Sequence, residues 1–238
     1  MKRSTTAVLM GLGSIVAVLL LLALSIRFAS TDKALPPPSG QRTMRTYDLT
    51  GFTEVRASGQ WQVTVVRGDT WAVEVSYPAE LESGVDVHLE RGALALRYTL
   101  ERSWWSDFGS NAEVAMTARV VMPALEAVDV RGASSLDLSG FAGERLAIGA
   151  SGAISIDGRD CRYDALALKI SGVGRTDLSG VTTTDARIDV SGAQNLTLRM
   201  EGGTLSGHVS GVSRVDYLGT VSSQDVRASG VSRIEHRP

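Results

Sequence analysis

Read as apolar and polar positions, the chain falls into three stretches. Ala7 to Ile26 is an unbroken run of 20 residues without a charge. At about 1.5 Å of rise per residue, a helix of that length spans roughly the 30 Å hydrocarbon core of a bilayer. Lys2 and Arg3 precede it, so the positive-inside rule keeps the short N-terminus cytoplasmic and sends the remainder outward. The run exceeds the roughly 7–15 residues of a signal-peptide core, which favours an uncleaved transmembrane anchor over residues 1–27. Cleavage near Ala23 and Ser25, which would secrete the rest, is the alternative. Residues 28–45, with Pro36, Pro37 and Pro38 among Ser, Thr and Gly, read as an extended, semi-rigid linker. Residues 46–238 form the third stretch.

In that stretch two-residue alternation replaces any helical period. Trp61-Gln62-Val63-Thr64-Val65, Ala72-Val73-Glu74-Val75 and Val85-Asp86-Val87-His88-Leu89 predict strands, and Glu90-Arg91-Gly92 predicts a hairpin into Ala93–Tyr98. Val114 to Met122 predicts another strand, ended by Pro123. Residues 46–123 are thus a strand-rich N-terminal part. Residues 124–238 are a repeat. A small-residue turn, usually Ser-Gly, places its glycine at Gly132, Gly152, Gly172, Gly192, Gly211 and Gly230, in steps of 19 or 20 residues. Six copies at one period predict a solenoid, with equivalent residues stacked about 4.8 Å apart.

Aligned on the glycine, four columns are mainly apolar and are expected to face inward. Four residues before it stand Val128, Ile148, Leu168, Ile188, Gly207 and Val226, and two before it Val130, Ala150, Ile170, Val190, Val209 and Ala228. One residue after it stand Ala133, Ala153, Val173, Ala193, Val212 and Val231, and four after it Leu136, Ile156, Thr176, Leu196, Val215 and Ile234. The glycine supplies the positive φ or close backbone approach that a sharp corner needs. Ala57-Ser58-Gly59 looks like an earlier copy of the same turn.

Composition narrows the function. At 43% hydrophobic and 21% charged the chain is no disordered protein, and aromatics of only 5% suit a narrow core of small aliphatics. The single Cys161 permits no internal disulfide, and three histidines in separate elements (His88, His208 and His236) show no ligand spacing. The net charge of −2, with the acidic excess lying beyond the anchor, excludes a basic footprint and hence a nucleic-acid partner.

Val120-Val121-Met122 leading into Pro123-Ala124-Leu125, followed by serial Ser-Gly-Val/Ala turns, resembles the head GIN domain family of autotransporter-type adhesins. The opening Tyr47-Asp48-Leu49-Thr50-Gly51-Phe52-Thr53-Glu54-Val55 is similar to that family's start. The resemblance covers about Tyr47 to Arg237. It implies an all-β, right-handed parallel β-helix, with a pectin-lyase-like outline, in a cell-envelope protein that acts in adhesion. It supplies no catalytic residues.

Two features carry candidate chemistry. Five positions after the glycine stand Asp137, Asp157, Asp177, Thr197, Asp216 and Glu235, an outward column of mostly carboxylates. Arg175, Arg214 and Arg233, two positions earlier, predict a salt-bridge ladder. Asp137 and Asp157 have no such arginine, and with Asp177 they form the candidate metal set, for which Ca²⁺ is the fitting cation. No other cofactor is expected. The second feature is Glu101 to Asn111, which sets Trp104, Trp105 and Phe108 in a polar loop: a lid on the end of the stack, or a ligand-binding platform for a sugar ring or an envelope protein.

These readings converge on a non-enzymatic module, held to the membrane through residues 7–26, with its C-terminal domain in the periplasm or at the cell surface, and monomeric or weakly dimeric. A Ca²⁺-dependent polysaccharide lyase and a purely structural envelope module are the alternatives. Repetition over every coil argues against catalysis, because a catalytic site would break the pattern locally.

Overall fold

The computed structural model describes residues 41–99 and 116–237, and these are all-β apart from one short 3-10 turn, Ala79–Gly84. Among the described residues no helix is long and apolar enough to cross a membrane. The 7–26 run lies outside them, as do Trp104, Trp105 and Phe108.

Strands β1 (Arg42–Tyr47), β4 (Ala72–Pro78) and β7 (Met116–Met122) form an antiparallel group at one edge of the sheet. The linker expected over 28–45 is therefore too long: Arg42 to Arg45 open β1 and pair with β4. Strands β5 (Val85–Glu90) and β6 (Ala93–Tyr98) make the expected hairpin, turned by Arg91 and Gly92 at φ 51° and 80°. From there pairing is parallel. β2 (Glu54–Gly59) lies between β6 and β8 (Ala127–Ser139), and β3 (Trp61–Arg67) lies between β7 and β8. β8 pairs with β9 (Ala142–Arg159), and β9 with β10 (Cys161–Glu201), a 41-residue strand whose pairing with β9 runs without a break from Ala165 to Asp177, through the corner at Gly172. β11 (Thr204–Val209) and β12 (Arg214–Thr220) pair with β10, and in turn with β13 (Ser223–Ala228) and β14 (Arg233–Arg237).

The registers follow the repeat. Gly59 pairs with Gly132, Gly132 with Gly152, and Gly152 with Gly172, so the Ala57-Ser58-Gly59 copy belongs to the same series. Each corner glycine adopts a positive φ, 107° at Gly172 for instance, and is pressed against the one before it. A Cβ on Gly172 would stand 2.2 Å from the carbonyl oxygen of Gly152. Both the φ and the contact exclude a side chain.

The columns two and four residues before the glycine, and four after it, are buried through most of the stack, including Val130, Ile148, Ile170, Val190, Leu136 and Leu196. The column one residue after is not. Ala133, Ala153 and Ala193 are exposed, and Val173, Val212 and Val231 are 61%, 64% and 78% exposed. The reason is parity. In–out alternation runs straight through the corner, so even offsets from the glycine face in and odd offsets face out. The inward place after the corner belongs to Ser134, Ile154, Gln194 and Ser213, all buried.

A single core runs from Phe52 to Tyr217. It is not purely slim and aliphatic. Trp61, Tyr77, Tyr163, Phe52 and Phe141 are its largest fully buried side chains. Their polar atoms are met within the fold: Trp61 Nε1–H donates to Ser58 O at 3.1 Å, and Tyr163 O–H donates to Leu125 O at 2.9 Å. Each large side chain buried contributes about 1.5–3 kcal/mol, so these few aromatics carry a disproportionate share of the core's burial. Cys161 is also buried, and its thiol donates to Arg159 O at 3.1 Å.

Candidate functional site

The corner edge is the most regular surface of the molecule. Its ridge is the outward line Ala133, Ala153, Val173, Ala193, Val212 and Val231. Serines precede five of the six glycines and Arg131 precedes Gly132, and Ser135, Ser155, Arg175, Asn195, Arg214 and Arg233 follow two places beyond the ridge. Beneath it, serines tie three of the corners to the one before. Ser134 Oγ–H donates to Gly59 O at 3.3 Å, Ser213 to Gly192 O at 3.1 Å, and Ser232 to Gly211 O at 3.3 Å.

In the middle of the stack this tie is missing, because Ile154, Gly174 and Gln194 occupy the same place. Gly174 has no side chain, and a Cβ there would stand 1.8 Å from Ile154 O. Here the surface forms a shallow, open depression over Ile154 and Gly174. Ala153 and Val173 stand on one side and Ser155, Arg175 and Asn195 on the other. The sequence marked these as separate columns; only the parity of the strands brings them into one depression.

The carboxylate column behaves as a set of ion pairs. Arg175 Nη2 lies 2.8 Å from Asp177, Arg214 Nε 3.1 Å from Asp216 and Arg233 Nη1 3.3 Å from Glu235, as the spacing predicted. Asp137 and Asp157 are not bare, however. Arg159, two residues beyond Asp157, places its Nε 2.6 Å from Asp157 and an Nη2 4.0 Å from Asp137. Asp157 holds the Arg159 guanidinium more firmly protonated than usual by hydrogen bond and charge. The Ser179 hydroxyl, then Arg175, hold the Asp177 carboxyl below its ordinary range. Asp137, Asp157 and Asp177 stand in register on successive coils, and among the described residues no group of three His, Cys, Asp or Glu side chains that could hold a metal ion is found. Asp216 departs from the expected outward exposure: it is 5% exposed, covered by Arg214 and by Arg237 at 2.7 Å.

The histidines lie apart. His88 pairs with Asp86 at 3.0 Å, and His236 stacks on Tyr217 with ring centroids 4.9 Å apart. Burial pushes the Cys161 thiol up, which makes it a poor nucleophile. Tyr98 and Met116 both lie against the corner at Gly59 and Gln60. A Cβ on Gly59 would stand 3.2 Å from Tyr98 Cβ, and Met116 N–H donates to Gln60 O at 3.2 Å.

Fold and edge together define an all-β protein of in-register parallel ladders that carries a regular exposed surface and an ion-paired flank. The chain belongs to the family described as putative auto-transporter adhesin, head GIN domain, whose profile matches residues 51–185. Among solved structures it is similar to a putative adhesin from Bacteroides fragilis, at 15% identity and a TM-score of 0.61, covering 84% of this chain and 99% of that one. It is also similar to a putative adhesin from Parabacteroides merdae, at 13% identity and a TM-score of 0.51, covering 84% and 98%. At such identities the likeness is one of fold. No curated protein matches the chain.

Proposed function

We propose that this chain is a non-catalytic binding module of the cell envelope, built as a right-handed parallel β-helix and held to the membrane by residues 7–26. The exposed Ala/Val line carries this reading. Six successive repeats keep an apolar residue at a position that parity turns toward solvent, which packing of the core does not require. The parallel ladders at 19–20-residue offsets suit a single-start coil, and parallel crossovers are overwhelmingly right-handed. Membership of an adhesin-like family supports an extracytoplasmic place and a role in attachment. Trp104, Trp105 and Phe108, which lie outside the described residues, are further binding candidates in this proposal by their residue type alone. Glycans and envelope proteins are the partner classes.

The lyase alternative loses its footing where Arg159 and Arg175 neutralise the carboxylates that would hold Ca²⁺. The test is co-sedimentation of the full chain, reconstituted in lipid vesicles, with purified envelope polysaccharide and with envelope protein. Vesicle-bound chain that retains either partner supports the module. Retention of neither favours a purely structural element, and unsaturated sugar products that depend on Ca²⁺ would establish the lyase instead.

A further inference from the structure

The sheet runs from β1 at one end to β13 and β14 at the other. β14 pairs only with β12, and Ser229, Val231 and Arg233 send their N–H groups back to Val209 O, Gly211 O and Ser213 O. In a parallel ladder alternate residues bond to opposite sides, so the N–H and C=O groups of Ser232, Ile234 and His236 point away from the stack. Among the described residues no strand meets them. The core is also left half covered here. Ile234 is half-buried, whereas Leu196 and Val215, at the same place in the two coils before, are 2% and 0% exposed. A strand laid on β14 would satisfy the free groups and cover Ile234.

Folded proteins guard such edges, commonly with charge. On β14 the guard is of mixed sign: Arg233, Glu235 and Arg237 alternate with Ile234 and His236, and so share the outward face. A second copy of this edge, turned by a two-fold axis, pairs with it antiparallel. With Ile234 opposite Ile234 of the copy, the free groups of both strands meet, and Ser232 faces His236. Arg233 of each chain then faces Glu235 of the other. A slip of two residues one way opposes Arg233 to Arg233, and the other way Glu235 to Glu235. A slip of four sets Ile234 opposite Pro238, which has no N–H, or leaves Arg233 facing the uncharged Val231. Charge and hydrogen-bond valence thus select one register of this edge with itself.

We propose that the β14 edge is a self-docking surface, on which a second copy of this chain adds antiparallel with Ile234 against Ile234 and Arg233 of each copy against Glu235 of the other. The contact is isologous, so it closes at a dimer and does not propagate. The two-fold axis also reverses the stack, which leaves the two β1 strands at opposite ends of the pair. The pairing uses neither the Ala/Val ridge nor the anchor. Joined to the anchor proposed above, and in that part resting on it, the pairing makes attachment homotypic: a chain in one membrane holds its copy in a facing one.

The test uses the full chain in detergent micelles, followed by sedimentation velocity over a concentration series. A monomer–dimer equilibrium is expected. Arg233→Glu and Glu235→Arg each set like charges opposite one another at both contacts, and each should weaken the dimer about tenfold. Mixed in equal amounts, the two variants match in charge again, and the mixture should recover the parent's affinity. Ile234→Cys should be joined by a short bis-maleimide, because directly opposed Cα atoms in such a pair stand about 5.5 Å apart. Val173→Cys, at a more exposed position, should not be. The cross-link decides should the charge variants fail to fold. A monomer at every concentration, a mixture no tighter than its components, equal cross-linking at Val173, or growth beyond the dimer overturns the proposal. Vesicles carrying the parent chain should cluster, and vesicles carrying Arg233→Glu alone should not. Dimers in micelles without clustering of vesicles would uphold the edge and overturn its use between membranes.

Discussion

The hydroxyl of Ser213 donates to the carbonyl of Gly192, 21 residues earlier, at 3.1 Å, and so ties one corner of the stack to the one before. It also donates to Ser210 O at 3.2 Å, while the Gly192 carbonyl accepts from Val212 N–H at 2.8 Å. Removing the hydroxyl therefore weakens the corner without leaving that carbonyl bare. Ser213→Ala should cost about 1 kcal/mol, the net worth of a buried hydrogen bond. The half-buried Ser232 should lose less on the same change. Urea unfolding of the two variants side by side measures the difference, and equal losses would deny the tie its dependence on burial.

Glycines of the fold divide sharply by their surroundings. At Gly172, a Cβ would meet the Gly152 carbonyl oxygen at 2.2 Å, backbone against backbone, so Gly172→Ala forces neighbouring coils apart. The expected cost exceeds about 4 kcal/mol, in the range reserved for gross disruption. At Gly92, φ is 80° but nothing stands within 4 Å, so Gly92→Ala should cost only the about 1–2 kcal/mol of a left-handed residue. A Gly172→Ala protein that folds as well as the Gly92→Ala one would mean that the corners are loosely stacked.

The repeat, its period and its corner glycines were legible because only glycine satisfies the corner, which stamps the sequence every 19 or 20 residues. What misled was hydrophobicity. Val173 and Val212 look like core residues by type, whereas strict alternation from Ile170 or Val209 places them outside. Position, not residue type, decides the face of a strand. Arg159 was missed for a related reason: the arginines expected beside the acids were sought two residues before the aspartate, and this one stands two after, on the same face. Two contacts had no local signal at all. Asp216 is covered by Arg237, and Phe141 and Tyr163 are buried, through partners brought near only by the stacking.

Gln194 is 3% exposed, and its Nε2 is buried without a hydrogen-bond partner. A buried donor left unpaired costs about 1–3 kcal/mol. Gln194→Leu keeps much of the volume and removes the donor, so it should stabilise the protein by about 1 kcal/mol or more. Thermal unfolding reads this directly, and a lowered midpoint would show that the amide is satisfied in solution.

Asp177 accepts from the Ser179 hydroxyl at 2.7 Å and from Arg175 at 2.8 Å, and its carboxyl is held below the ordinary value of 3.8. A carboxyl whose pKa falls on folding stabilises the folded state above its unfolded value and loses that contribution as pH drops through the folded one. Asp177→Asn should therefore be less stable than the parent at pH 6, with the gap closing below about pH 3.8. Urea midpoints at pH 6 and pH 3 give the comparison. A gap that does not depend on pH would assign the effect to the Ser179 hydrogen bond alone.

Val173 and Val212 are 61% and 64% exposed, so neither supports the core. Exposed substitutions of this kind usually change stability by no more than about 0.5 kcal/mol. The Val173→Ser/Val212→Ser variant should accordingly unfold with the parent's midpoint, since each side chain already faces water. In co-sedimentation with envelope polysaccharide it should retain less than the parent, because the apolar line is what the proposed surface offers. Trp104→Ala/Trp105→Ala is the parallel experiment for the aromatic pair outside the described residues, and it should lower retention independently. If both variants fold and bind as the parent does, the ridge is a by-product of β-propensity, and the stack serves the envelope as a spacer.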